Sequence, residues 1–281
     1  MIRHAITGNG GVRLNVVEGG NPAGKPLLFI HGWSQSSLSW AKQFDSPLSD
    51  QLRLFAMDLR GHGDSDKPET GYDESQVWAD DVKAVFDQLS LNGVILVGWS
   101  YGGLVINDYV RLHGQERLAG LCYVGAATDL GVETNYKFLG ATWNGLLPAR
   151  SDSVDGTVFS ENAEDITRTM RMFVRGCFAE QLPPEEEMMM LGFNLQCPSR
   201  VRAALFSRSL QNDDVLVQLR LPVLVVHGDA DEVVNIDTGH HISATVKEAS
   251  MSVFSGVGHG PFWEQSERFN AELAEFASSL G

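Results

Sequence analysis

The fold is decided by Val94-Ile95-Leu96-Val97-Gly98-Trp99-Ser100-Tyr101-Gly102-Gly103. Four apolar residues run straight into a serine bracketed by glycines two positions to either side. A continuous run this short suits a strand buried on both faces of a parallel sheet. The helical run Leu104–Leu112 follows at once. G-x-S-x-G between a strand and a helix is the pattern of a strained turn that lifts a serine hydroxyl above a sheet. Glycines at its ends let neighbouring backbone pass close, and the following helix brings its positive end near any oxyanion formed there. Ser100 is the candidate nucleophile.

A serine needs a base near neutral pH. His259 stands in Gly256-Val257-Gly258-His259-Gly260-Pro261-Phe262-Trp263-Glu264, after the apolar run Met251–Phe254. The base needs an orienting carboxylate. The run Val223–Val226 ends in His227-Gly228-Asp229-Ala230-Asp231-Glu232-Val233-Val234, where Asp229 or Asp231 could serve. Serine, aspartate and histidine then follow one another in that order along the chain. An oxyanion needs donors from two sides. Leu27–Ile30 ends in His31-Gly32-Trp33, where a backbone N–H could meet that of Tyr101.

Further apolar runs occupy Leu52–Met57 and Leu118–Val124, and an alternating segment around Gly8-Asn9-Gly10-Gly11 reads as a β-hairpin. Val77, Val82, Val85, Phe86 and Leu89 line one face of a helix, with Asp73 and Gln76 as an expected capping box. Phe269, Leu273, Phe276 and Leu280 recur at helical spacing near the C-terminus. Strand–helix alternation predicts an α/β fold with a mostly parallel central sheet covered by helices on both faces. Residues 128–212 break the rhythm. They hold five of the eight methionines and many phenylalanines, and Pro183-Pro184-Glu185-Glu186-Glu187 has the form of a helix start. A helical cap over residues 128–212 is expected, between core parts 1–127 and 213–281. Its Met and Phe residues suit both a core and a pocket wall.

Composition narrows the partners. A net charge of −15 disfavours nucleic acid. No apolar run is long enough to span a bilayer, and three cysteines without a C-x-x-C fit a reduced compartment. The N-terminal residues lack an apolar signal core. A cytoplasmic protein acting on a small molecule is expected, with self-association into a homo-oligomer left open. No metal or nucleotide motif occurs, so no cofactor is expected. Adjacent His240 and His241 point apart on a helix and do not form a metal pair.

With these segments assembled, the chain resembles the α/β-hydrolase fold family, in its serine esterase and cofactor-free haloperoxidase-like branch. The resemblance rests on His31-Gly32-Trp33, Asp58-Leu59-Arg60-Gly61-His62-Gly63-Asp64-Ser65, the Ser100 segment, His227–Val234 and Gly258–Glu264. It implies Asp231 as the acid, with Asp229 shaping the turn, and the N–H groups of Trp33 and Tyr101 as the oxyanion hole. The Asp58–Ser65 loop and His31 read as structural. Trp99, Trp143 and Phe138 are the expected pocket residues. The expected activity is hydrolysis of a small to medium, neutral, fairly apolar carboxylic ester. Four alternatives share the fold. A C–C bond hydrolase would need positive charge for a second carboxylate, which Arg150, Arg168, Arg171 or Arg175 could supply. Perhydrolase or haloperoxidase chemistry would use the same serine, and a slow-hydrolysing receptor would retain the triad. A dehalogenase or epoxide hydrolase would need aspartate at position 100.

Overall fold

In the computed structural model, residues 1–131, 138–148 and 154–281 are described. Eight strands form one sheet: β1 (Ile2–Thr7), β2 (Arg13–Gly20), β3 (Pro26–Ile30), β4 (Arg53–Met57), β5 (Val94–Trp99), β6 (Leu118–Val124), β7 (Val223–Gly228) and β8 (Ala249–Phe254). Their spatial order is β1-β2-β4-β3-β5-β6-β7-β8. The pairs β1/β2 and β2/β4 are antiparallel, and all the others are parallel.

Composition sets each strand's place. Every residue of β5 and β7 is buried, as strands covered on both faces require. β8, at the edge, has one fully buried residue, Phe254, and carries serines at 250 and 252. The register Leu27↔Ile95 to Ile30↔Gly98 sets the C-terminal ends of β3 and β5 side by side. Loops leaving these ends therefore meet, where ligands bind in open α/β sheets.

The helices are α1 (Ala41–Phe44), α2 (Leu48–Gln51), α3 (Ser75–Gln88), α4 (Tyr101–His113), α5 (Ala163–Gly176), α6 (Pro184–Leu195), α7 (Ser199–Phe206), α8 (Asp213–Leu216), α9 (Asp237–Thr245), α10 (Pro261–Glu264) and α11 (Ser266–Ser279). α3 buries Val82, Val85 and Phe86 along the expected face, together with Trp78. Its start corrects the expected capping box. Glu74 is the N-cap and no side chain caps the helix. Gln76 lies inside the first turn and reaches forward to Asp80 at 2.8 Å, so it is not placed to cap an Asp73 that stays outside. α6 begins as its prolines and acids require, with Pro184 in the first turn followed by Glu185, Glu186 and Glu187. Between β6 and β7 the chain leaves the sheet and forms α5, α6 and α7. Asn162 caps α5 by accepting from the N–H groups of Glu164 and Asp165. Among the described residues no helix is long and apolar enough to cross a membrane.

Candidate active site

Ser100 is the first point of the site. Its backbone has φ 55 and ψ −118, a conformation that an L-residue holds only at a cost of about 1–3 kcal/mol. Close packing holds it there. A Cβ at Gly98 would lie 2.7 Å from the Gly102 backbone, and a Cβ at Gly102 would lie 2.5 Å from the Ile30 carbonyl oxygen. Both bracketing glycines are therefore required by contact. The Ser100 N–H donates to Val124 O at 3.0 Å, and Ser100 O accepts from Gly103 and Ala127 N–H. The turn is thus locked to β6.

The second point is a buried acid–imidazole pair. Asp231 Oδ2 lies 2.7 Å from His259 Nδ1, with both side chains sealed from solvent. Asp231 Oδ1 accepts from Val233 and Val234 N–H at 2.8 and 2.9 Å, which fixes the carboxylate's rotation. Burial pushes this carboxyl's pKa up, but the charges and hydrogen bonds of His259 and His227 outweigh it and hold it well below the carboxylate range. An ionised carboxylate only accepts, so His259 carries its proton on Nδ1. In the neutral ring, Nε2 is then a bare acceptor. That nitrogen is buried and has no hydrogen-bond partner among the described residues. Asp229 instead accepts from the Ser255 hydroxyl and Gly256 N–H, closing the turn beneath.

The histidine loop is fixed to its surroundings. His259 N–H donates to Cys177 O at 2.9 Å. Trp99, next to Ser100, donates its indole N–H to His259 O at 2.8 Å. Glu264 accepts from Gly258 N–H and Ala179 N–H, and burial raises its pKa. A Cβ at Gly258 would lie 2.7 Å from Ala179 N. Gly125 bridges the two points. It follows the strand residue that holds Ser100, and a Cβ there would come within 3.1 Å of His259 Nδ1 and 3.2 Å of Asp231 Oδ2.

The Trp33 amide sits on the loop after β3 and the Tyr101 amide at the start of α4, and neither donates to an acceptor among the described residues. Gly32 is close enough that a Cβ there would lie 3.0 Å from Ser100 Cβ. Two histidines shape the loop after β3. His31 Nε2 accepts from Leu59 N–H at 3.0 Å, so its Nδ1–H donates to Gly32 O at 2.8 Å. His62 Nε2 accepts from Ser34 N–H, and its Nδ1–H donates to Arg60 O. Burial lowers the pKa of His31 to about 4 and of His62 to about 3, so both are neutral spacers. Asp58 accepts from Ser37 N–H, Asn15 Nδ2 and Asp64 N–H, and Arg60 grips Asp81 through two donors at 2.7 and 2.8 Å.

Aromatic rings gather around Trp33. Trp143, Phe159, Phe173 and Phe206 stand 5.1–6.4 Å from its ring, all near edge-on. Trp143 also donates its indole N–H to Val233 O, next to the acid's loop. Trp99 lies beneath the histidine loop, its ring 5.4 Å from that of His259. Phe138 sets its ring 5.8 Å from that of His241 in α9. Sequence reasoning left unassigned His227, Glu264, Phe206 and Arg208. Arg208 binds the Tyr101 hydroxyl and pairs with buried Asp108 at 2.8 Å. His227 was detectable as the residue that ends β7 in the acid's own segment.

Among the described residues no cluster of His, Cys, Asp or Glu could hold a metal. The assembled groups offer a strained serine hydroxyl, a buried imidazole with a free acceptor and two undonated amides.

The alpha/beta hydrolase fold family model matches residues 25–266. A non-heme chloroperoxidase of Kitasatospora aureofaciens is 30% identical over 270 residues, covering 90% of this chain and 92% of that protein. A bifunctional esterase/perhydrolase of Acinetobacter calcoaceticus is 26% identical, covering 92% and 94%. The crystal structure of the esterase RhEst1 from a Rhodococcus species superposes with a TM-score of 0.91 at 39% identity, covering all of both chains. With a mostly parallel sheet that carries serine, aspartate and histidine at the ends of β5, β7 and β8, this chain belongs to the alpha/beta hydrolase fold family.

Proposed function

We propose that the protein is a carboxylic ester hydrolase in which Ser100 is the nucleophile, His259 the base and Asp231 the acid. The observation that carries this reading is the strained Ser100 turn beside a buried Asp231–His259 pair whose Nε2 is free. Ser100 Oγ attacks the ester carbonyl as His259 Nε2 takes its proton. The ionised Asp231 stabilises the imidazolium, and the N–H groups of Trp33 and Tyr101 receive the oxyanion. The imidazolium then protonates the departing alcohol, leaving an acyl-Ser100 ester. Water adds to that ester as His259 takes its proton, and collapse returns the proton to Ser100.

We take residues 128–212 as a cap between core parts 1–127 and 213–281, with α5, α6 and α7 as its helices. The cap supplies apolar surface from Trp143, Phe159, Phe173 and Phe206 against Trp33, which suits a small to medium, neutral substrate. C–C bond hydrolysis is disfavoured by the arginines it would use. Arg168, Arg171 and Arg175 are about half exposed and pair with Asp165 or Glu187, and Arg150 lies outside the described residues. Perhydrolase chemistry is the second reading, favoured by the chloroperoxidase and esterase/perhydrolase relatives. It would use the same acyl-Ser100, with hydrogen peroxide replacing water as the acyl acceptor.

A fluorophosphonate probe tests the nucleophile. The expected adduct is one phosphonyl group on the peptide that holds Ser100, absent after acid unfolding. Labelling on another residue, or none, contradicts the assignment.

A further inference from the structure

Asp231 Oδ2 faces two imidazoles. His259 Nδ1 is 2.7 Å away and His227 Nε2 is 3.2 Å away, with the side chains of Asp231 and His227 fully buried. His227 Nε2 also lies 2.9 Å from Val234 O. A carbonyl and a carboxylate oxygen only accept, so that nitrogen carries the hydrogen, bonded to Val234 O with Asp231 Oδ2 3.2 Å from the same nitrogen. His227 Nδ1 is then bare, and it has no partner among the described residues. Gly239 of α9 closes over it, where a Cβ would lie 2.9 Å away.

We propose that His227 is a positioning residue for the reaction, whose Nε2–H, within 3.2 Å contact of the oxygen that holds His259, limits how tightly Asp231 binds the imidazolium. This deepens the proposed hydrolase reading and rests on it. A carboxylate oxygen that serves two donors has less charge left for each. The partner that matters is the one that gains a proton during the reaction. With the Nε2–H in place, Asp231 orients His259 without trapping it as a cation. Without it, the imidazolium becomes more stable and gives up its proton at higher pH.

Among the described residues, the titratable groups that face this carboxylate come from three elements. They are His227 of β7, His259 of the loop before α10, and the Cys177 thiol at the end of α5, whose own pKa is raised by burial first and then by the Asp231 charge. Glu264 of α10 acts on the same thiol and is engaged by the N–H groups of Gly258 and Ala179.

The test compares His227→Leu, which removes the donor, with His227→Gln, which keeps an N–H at the position of Nε2. The readout is the pH profile of kcat/KM for p-nitrophenyl acetate, with active sites counted by phosphonate titration. For His227→Leu the plateau is expected to fall about tenfold and the acidic limb to move up by about half a unit. His227→Gln is expected to keep the limb where the wild type has it. A limb unmoved in the leucine variant, or moved equally in both, overturns the proposal. Nitrogen-15 spectra of histidine-labelled wild type need no variant. They are expected to show His227 protonated at Nε2 and bare at Nδ1, and the opposite tautomer overturns the proposal even if the leucine variant does not fold. A wild type that neither hydrolyses esters nor takes the phosphonate refutes the hydrolase reading instead, and the tautomer still decides whether His227 carries on Nε2 the hydrogen that the proposal needs.

Discussion

Ser100 and Asp231 show how single residues are made chemically useful by neighbours that cannot move. Ser100 is held at positive φ by backbone contacts, and Asp231 is held by two backbone N–H groups. The two aspartates of the β7 loop have different partners, and a paired comparison tests the roles proposed for them. Asp231→Asn is expected to lower kcat by about 10³–10⁴, because the amide favours the wrong imidazole tautomer. Asp229→Asn is expected to leave kcat near wild type and to cost about 1 kcal/mol in urea unfolding, since it loses only turn bonds. Equal losses of kcat would contradict this division. Ser100 was legible because a serine between glycines at a strand end has few other uses. The choice between the aspartates was not legible from the residues themselves. It depends on which carboxylate turns inward, and the resemblance to a family supplied it. His227 was hidden for another reason: a histidine ending a buried strand looks the same in sequence whether it fills space or donates to a neighbour.

At the scale of elements, the site exists because β3 lies beside β5 and β7 lies between β6 and β8. The apolar runs that mark these strands are continuous, so the sheet was readable from one sequence. The start of α3 was not, because polar residues on both sides of Ser75 compete to cap it and packing of Trp78 settles the first turn. Helices α5–α7 were expected as helical, but which rings face Trp33 depends on helix rotation, to which composition is blind. The sheet–helix joint makes a sharp prediction. Gly102→Ala pushes a methyl to 2.5 Å from Ile30 O and 3.2 Å from His31 O, backbone that ends β3. It is expected to destabilise by about 2–3 kcal/mol. Gly192→Ala in α6 meets nothing within 4 Å, and is expected to stabilise by up to about 1 kcal/mol. Urea midpoints of the two variants measured side by side check both signs, and similar midpoints would contradict the packing argument.

For the whole molecule, buried neutral histidines tie stability to pH. His31 and His62 have pKa values near 4 and 3 when folded, against an ordinary value of 6.5. The unfolded chain therefore binds protons that the folded one refuses as pH falls from 6.5. The stability these residues confer is fully present above pH 6.5 and is lost as pH drops towards 4. The double variant His31→Gln/His62→Gln is expected to lose less stability across that window than the wild type does, as read by urea unfolding at pH 7, 5.5 and 4.5. An identical pH dependence in the two proteins would show that these rings are not buried neutral. The acidic composition, at a net charge of −15, favours solubility.

The central claim is that Ser100 turns over esters, and one measurement meets it directly. Steady-state hydrolysis of p-nitrophenyl esters from acetyl to dodecanoyl is followed for the wild type and for Ser100→Ala at equal concentration. The account predicts sustained turnover by the wild type and a loss of about 10⁴-fold or more in the variant with its fold intact. A variant as active as the wild type, or a wild type that is inert on every ester, would contradict it.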